Sequence, residues 1–401
     1  MTLREELAAL ARARGFLDVR VASAKPVLFD REVARHRIRE GSFSGLAWFD
    51  EARVERAADP ERLLPGARSL LFLVATYGRD CSRPRDDRLR GRIARYAWGR
   101  DYHNVLSRRA RPLLAFLAER VPGSRSRFFV DHGPLLERAY AREAGLGWQG
   151  KNTMILTRGL GSYTFLAAIL TSADLPVDEP VAQSCGTCTR CLPACPTGAI
   201  RSAYEVVNDL CISYHTIENR GPIPRALRPL LGDWVFGCDL CQEACPVNDV
   251  EVTPDVADFD ARGADDAWPD LVEVLSLDEA GFRRRFSGRP VLRARHAGFL
   301  RNACVALGNI GNARAVPALV RVVSHPEPLV RGHAAWALGR LRSRNALAER
   351  LAVEEDPWVR DEITAALAWQ PASGELDRDQ RERSVAQTPN PGHALPRGDV
   401  A

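Results

Sequence analysis

Ten cysteines stand in the 401-residue sequence, and eight of them lie between Cys185 and Cys245. Cys185, Cys188, Cys191 and Cys195 run as C-x2-C-x2-C-x3-C and are followed by Pro196. This is the bacterial ferredoxin run: three thiolates on one tight loop cap three corners of a cubane, and the fourth reaches the neighbouring cluster. Cys211, then Cys238, Cys241 and Cys245 with Pro246 behind it, form a second set. The crossing rule assigns Cys185, Cys188, Cys191 and Cys245 to one 4Fe-4S cluster, and Cys195, Cys211, Cys238 and Cys241 to the other. Zinc prefers four ligands arranged in two pairs, which eight cysteines with Cys-Pro endings fit poorly. The long gap between Cys211 and Cys238 departs from a simple ferredoxin and predicts an insertion between the clusters. Cys304 sits at an apolar helical position and reads as a core residue.

The rest of the chain must position these clusters and use their electrons. Hydrophobic residues at 45% and charged residues at 27% are the balance of a soluble globular protein. No apolar run reaches the roughly 20 residues of a membrane span. The first residues, Met1 to Leu7, carry acids and no apolar core, so they read as an amphipathic helix and not a signal peptide. A cytoplasmic location is expected, where thiols stay reduced and serve as metal ligands. The net charge of +5 is unevenly spread: Gly281 to Asn345 holds 13 Arg against one acid, Glu327. That block is an electrostatic footprint for a polyanion such as nucleic acid. Of the 56 basic residues only Lys25 and Lys151 are lysine, so a retained lysine points to a site that needs a compact ammonium.

Mixed periodicities up to about residue 175 predict an α+β domain: helices over Leu3–Arg14, Leu106–Arg120 and Leu135–Ala144, and strands over Ser69–Tyr77, Arg127–Val130, Thr153–Leu156 and Tyr163–Leu170. A ferredoxin-like segment follows over 176–255. Residues 256–370 comprise a linker and helical repeats. Leu300-Arg301-Asn302, Val330-Arg331-Gly332 and Val359-Arg360-Asp361 each lead into an Ala-Leu-Gly or Ala-Ala-Leu motif at about 30-residue spacing, the size of a HEAT-like helical pair. The polar tail 371–401 is expected to be disordered.

With these residues in view, nearly the whole chain, from Leu3 to Leu367, resembles the epoxyqueuosine reductases. The resemblance is carried by Tyr96-Ala97-Trp98-Gly99-Arg100-Asp101-Tyr102-His103, by Val130-Asp131 with Leu136-Glu137-Arg138, and by Gly147-Trp148-Gln149-Gly150-Lys151-Asn152-Thr153. It continues through Gly161-Ser162-Tyr163, both cysteine runs, Cys211 to Pro224, and Phe236-Gly237-Cys238-Asp239. It implies a cobalamin-binding N-terminal domain, a ferredoxin-like domain and C-terminal HEAT-like repeats. Asn219 departs from the family, where His is expected.

The resemblance further implies that an epoxide on a cyclopentane ring is reduced to an alkene, with tRNA carrying the substrate and water lost. Asp131 matches the family's proton donor; read without the resemblance, Asp131 ahead of Gly133-Pro134 fits a helix N-cap. An acid role calls for a pKa raised by burial against the corrin. The implied cobalamin pocket draws on Arg56, Tyr102, His103, Asp131, Arg138, Lys151, Ser213 and Arg220. Arg283, Arg284, Arg285, Arg289, Arg293, Arg295, Arg301 and Arg331 are the expected tRNA phosphate contacts. The implied partners are queuosine-family tRNA and a low-potential one-electron donor such as flavodoxin or ferredoxin, with the enzyme a monomer. Two other readings stand beside this one: a reductive dehalogenase-like enzyme acting on a small molecule, and an electron carrier with a HEAT interaction module.

Overall fold

The fold is that of a computed structural model, which describes residues 1–77, 80–131, 133–250 and 257–370. The expected disordered tail lies outside the described residues, as does the start of the linker.

Strands β1 (Asp18–Ser23), β2 (Ser69–Thr76), β3 (Ser126–Phe129) and β4 (Thr164–Thr171) form one antiparallel sheet in the order β1-β2-β4-β3. Every residue of β2 is buried, because both faces of the sheet are covered. Leu71, Leu73 and Ala75 meet the apolar faces of α1 (Leu3–Ala13) and α2 (Tyr102–Arg120). Leu70, Phe72 and Val74 meet α3 (Glu137–Glu143) on the other side. This alternation is the period-two geometry of a strand, and two-sided cover explains why β2 reads as one continuous apolar run. Thr2 and Glu5 close a capping box on α1. The expected strand at Thr153–Leu156 is shorter, with only Ile155–Leu156 pairing to Trp148–Gln149.

The C-terminal region stacks α4 (His296–Ile310), α5 (Val316–Val322), α6 (Pro328–Arg340), α7 (Arg344–Val353) and α8 (Pro357–Ala368). The repeated glycines have a packing reason. A Cβ on Gly308 would come within 2.7 Å of the Trp336 ring, and one on Gly339 within 2.8 Å of the Ala366 Cβ. Only a bare backbone lets successive repeat helices approach this closely. Cys304 is fully buried, as its apolar helical position suggested.

Residues Leu89 to Trp98 leave the N-terminal sheet. Arg92–Ile93 pairs in parallel with Trp234–Phe236, and Leu89, Ile93 and Trp98 join the core of the helical repeats. The insertion after Cys211 thus holds a helix (Ile212–Ile217) and this strand, and α4 packs upon them.

A buried ion pair ties the insertion to the last repeat. The Arg228 guanidinium, 1% exposed, donates to both carboxylate oxygens of Glu362 at 2.7 and 2.8 Å. Removing one partner of such a pair strands the other charge in a low-dielectric interior. Glu362→Ala is therefore expected to cost about 3–5 kcal/mol, read as a lowered midpoint of the denaturant transition. An unchanged midpoint would show that Arg228 finds other compensation.

Candidate functional site

Asp131 follows β3 with φ +54°, a left-handed conformation rare outside glycine. It does not cap a helix: α3 begins six residues later, and its cap position is Leu136, with no side-chain bond. Gly133 sits so close to Phe129 that a Cβ would fall 2.4 Å from the ring, and Arg53 donates to the Gly133 carbonyl at 3.1 Å. These contacts hold the loop so that the Asp131 carboxylate turns toward the start of α2.

There the carboxylate accepts a hydrogen bond from the Tyr102 hydroxyl and stands 3.6 Å from Nε2 of His103. The other ring nitrogen of His103, Nδ1, lies 2.7 Å from Asp101, the N-cap of α2. The Tyr102 ring stacks between His103 and Phe165, with centroids 4.1 and 4.5 Å away. Desolvation by the surrounding protein opposes charge on Asp131, but hydrogen bonds from His103 and Tyr102 outweigh it and hold the pKa at about 2. Burial likewise opposes charge on His103, yet Asp101 and Asp131 raise it to about 9. At neutral pH the pair is carboxylate and imidazolium. The acid role implied for Asp131 calls for a pKa raised by burial against the corrin; with His103 and Tyr102 as its neighbours the carboxyl is ionised and the proton rests on His103.

The neighbouring candidates divide. Arg138 is exposed, acts on the Asp131 charge, and donates to the Thr153 carbonyl at 3.2 Å. Lys151 Nζ donates to the Gly186 carbonyl in the first cysteine loop at 2.8 Å, and Asn152 Nδ2 reaches the Cys241 carbonyl at 3.3 Å. One short segment therefore touches both cysteine runs. The backbone amides of Tyr214 and Ser213 point at the Cys211 sulfur. Arg56 is exposed on the helix Glu51–Ala57, and among the described residues it is Arg53 of that helix whose side chain reaches the Asp131 loop.

The thiols fall into two neighbourhoods. Beyond burial, the charge on Cys191 is opposed by Cys185, Cys245 and Cys188, and that on Cys245 by Cys185 and Cys188. Cys211 feels Cys195, Cys238 feels Cys211 and Cys241, and Cys241 feels Cys211 and Cys195 before Cys191. Among the described residues no three His, Cys, Asp or Glu side chains converge as the ligands of a lone ion would. A cubane instead takes its thiolates at four separate corners.

The basic block is only partly available to a polyanion. Arg301 is 1% exposed and donates to the carbonyls of Asn219, Gly221 and His215. Arg331 is buried and forked onto Glu354 at 2.8 Å. Both are removed from the phosphate set, since their donors are spent inside the chain. Arg289 is engaged with Asp266, and Arg285 with Glu273. Arg283, Arg284, Arg293 and Arg295 are exposed. Arg283 and Arg295 join Arg220 and Asn219 around a cavity of about 690 Å³. Asn219 holds a turn there: its Oδ1 accepts from Gly221 N at 2.8 Å, and its Nδ2 donates to the Pro222 carbonyl at 3.2 Å. Arg293 pairs with Glu218 and is also stabilised by the charge of Asp131, which links the basic face to the acid site.

Paired ferredoxin-type cysteine sets beside an aspartate–imidazole–phenol cluster, backed by helical repeats, define an iron–sulfur oxidoreductase. Family models agree region by region: a 4Fe-4S double cluster binding domain over 184–248, the epoxyqueuosine reductase QueG, DUF1730 family over 57–132, and HEAT repeats over 290–368. The epoxyqueuosine reductase of Xanthomonas campestris pv. campestris is 40% identical over 316 residues, covering 78% of this chain and 88% of that protein. Two similar solved structures are both 31% identical, with TM-score 0.85, and cover 91% of this chain and 98% of their own. One is an epoxyqueuosine reductase with an epoxyqueuosine-modified tRNA-Tyr stem loop, and the other a Bacillus subtilis enzyme with its catalytic aspartate loop swung out of the active site. The chain belongs to the epoxyqueuosine reductase family.

Proposed function

We propose that this chain reduces epoxyqueuosine to queuosine in the anticodon loop of tRNA, using cobalamin supplied with electrons by two 4Fe-4S clusters. One observation carries the reading: the Asp131 charge acts on Arg293 of the exposed basic face and on Arg138, which bonds the Thr153 carbonyl next to the Lys151-Asn152 segment that touches both cysteine runs. Substrate, proton source and electron path therefore meet at one place. Cys185, Cys188, Cys191 and Cys245 hold one cluster, and Cys195, Cys211, Cys238 and Cys241 the other.

The residues fit cobalamin, whose rim is rich in amides and carries one phosphate. Lys151, Arg138, Arg220 and Ser213 offer donors of the right chemistry, and Trp148 Nε1 and Tyr163 Oη are left without hydrogen-bond partners among the described residues. Bound cobalamin supplies a cobalt centre that takes single electrons and acts on an epoxide carbon. The protein's part is to orient the substrate, exclude water and deliver protons. Asp131 with His103 hands a proton to the departing oxygen, because an alkoxide is a poor leaving group. The enzyme works as a cytoplasmic monomer fed by a low-potential carrier such as flavodoxin or ferredoxin.

The test is anaerobic reduction of the cluster- and cobalamin-loaded protein with epoxyqueuosine-containing tRNA, followed by nucleoside mass spectrometry. Conversion to queuosine is expected, and none with both clusters loaded would refute the reading. The tRNA face has its own test. Exchanging Arg283, Arg284 and Arg295 together for Gln should weaken tRNA binding. It should also reduce the slope of log Kd against log salt by about one for each phosphate no longer neutralised. A wild-type Kd insensitive to salt would remove this face from the interface.

A further inference from the structure

Glu137 opens α3 directly beneath the Asp131 loop. Its Oε1 is closed off from solvent and has no hydrogen-bond partner among the described residues, while the backbone amide of Asp131 approaches the same carboxyl. Among the described residues the charged and titratable groups facing it are Asp131 from the loop after β3, His103 from α2, and Arg138 from its own helix. An unpartnered oxygen in such a position is costly for a carboxylate and tolerable for a neutral acid.

We propose that Glu137 is the store of the second proton of the reaction, in exchange with the Asp131 carboxylate. The inference rests on the epoxide-reduction reading and deepens it. The balance requires such a store: an epoxide, two electrons and two protons give an alkene and one water. The first carbon–oxygen bond breaks with one proton going to oxygen, leaving a hydroxyl. The second breaks with another proton, and the oxygen leaves as water. The electrons come from the external donor through the clusters. The His103–Asp131 pair holds one proton at rest, so a second must be supplied by another group in reach of the Asp131 carboxylate. Burial, and then the charge of Asp131 beside it, raise the Glu137 pKa to about 8, which keeps the carboxyl loaded at neutral pH. Glu137 acts through Asp131 and is a positioning and proton-storing residue.

The first readout needs neither tRNA nor cobalamin. Infrared difference spectra of the purified cluster-bearing protein, taken between neutral and strongly alkaline pH, should show a protonated-carboxyl band that disappears with a midpoint of about 8, above the range of Asp239, which is raised only to about 6. The band should be missing in Glu137→Gln. No such band in the wild type, or its survival in Glu137→Gln, overturns the proposal. The second readout is turnover. Glu137→Gln should lower kcat about tenfold or more, leave KM for tRNA in place, and move the alkaline fall in rate from about 8, where Glu137 empties, toward about 9, where His103 loses its proton. Glu137→Asp should recover part of the rate together with a pH limb. A Gln variant with the wild-type pH profile defeats the idea. If the wild type itself yields no queuosine, the functional reading fails while the infrared titration still reports on Glu137.

Discussion

Asp131→Asn is expected to lower turnover by roughly 10²- to 10⁴-fold, the usual range for loss of a positioned acid or base, while both clusters and tRNA affinity remain. Asparagine keeps the size of the side chain and can still accept from Tyr102, so the fold of the loop is preserved. What disappears is the charge that binds the His103 proton. With Asp131 gone, His103 loses one of the two carboxylates that raise it, and its pKa should fall from about 9 toward the ordinary value. Glu137, relieved of a like charge, should fall below its about 8. Both shifts are measurable by titration of the resting protein. Undiminished turnover in the variant would take Asp131 out of the chemistry. Unchanged turnover with a fallen His103 pKa would show that the pairing is structural.

The cluster set was the most legible part of the sequence, since C-x2-C-x2-C-x3-C-P constrains its own local geometry. The buried strand Ser69–Thr76 and the first helix were equally open, because an apolar run bounded by turn residues and a capping box act over a few residues. What the chain did not disclose depends on distant partners. Arg301 and Arg331 look like surface cations in a basic block. They are buried because Asn219, Gly221 and Glu354 bring acceptors to them from elsewhere. The pairing of Arg92–Ile93 with Trp234–Phe236 is non-local and leaves no periodic signature. Asp131 read as a helix cap because Gly133-Pro134 follows it, and its positive φ is set by tertiary contacts of the loop. Glu137 carried a faint signal of its own: a lone acid directly after Leu135-Leu136, where the chain enters the core.

The sharpest expectation concerns which cysteines share a cluster, and paired substitutions decide it. Cys191 and Cys195 are close in sequence, yet the thiol of Cys191 faces Cys185, Cys245 and Cys188, whereas Cys195 faces Cys211 and Cys241. Cys191→Ala with Cys245→Ala should therefore strike one cluster twice and leave the other, with about four irons per chain and one cubane signal on reduction. Cys191→Ala with Cys195→Ala should strike both clusters and leave little iron. In an uncrossed arrangement the outcomes would exchange: the sequence-adjacent pair would spare a cluster, and the distant pair would destroy both. Queuosine formation should stop in either double variant, because electrons must pass through both clusters to reach the Asp131 site. Iron content and the reduced-state resonance therefore separate the arrangements where activity cannot. If Cys191→Ala with Cys245→Ala loses both clusters while each single variant keeps one, the crossing is wrong, and Cys245 belongs with Cys238 and Cys241.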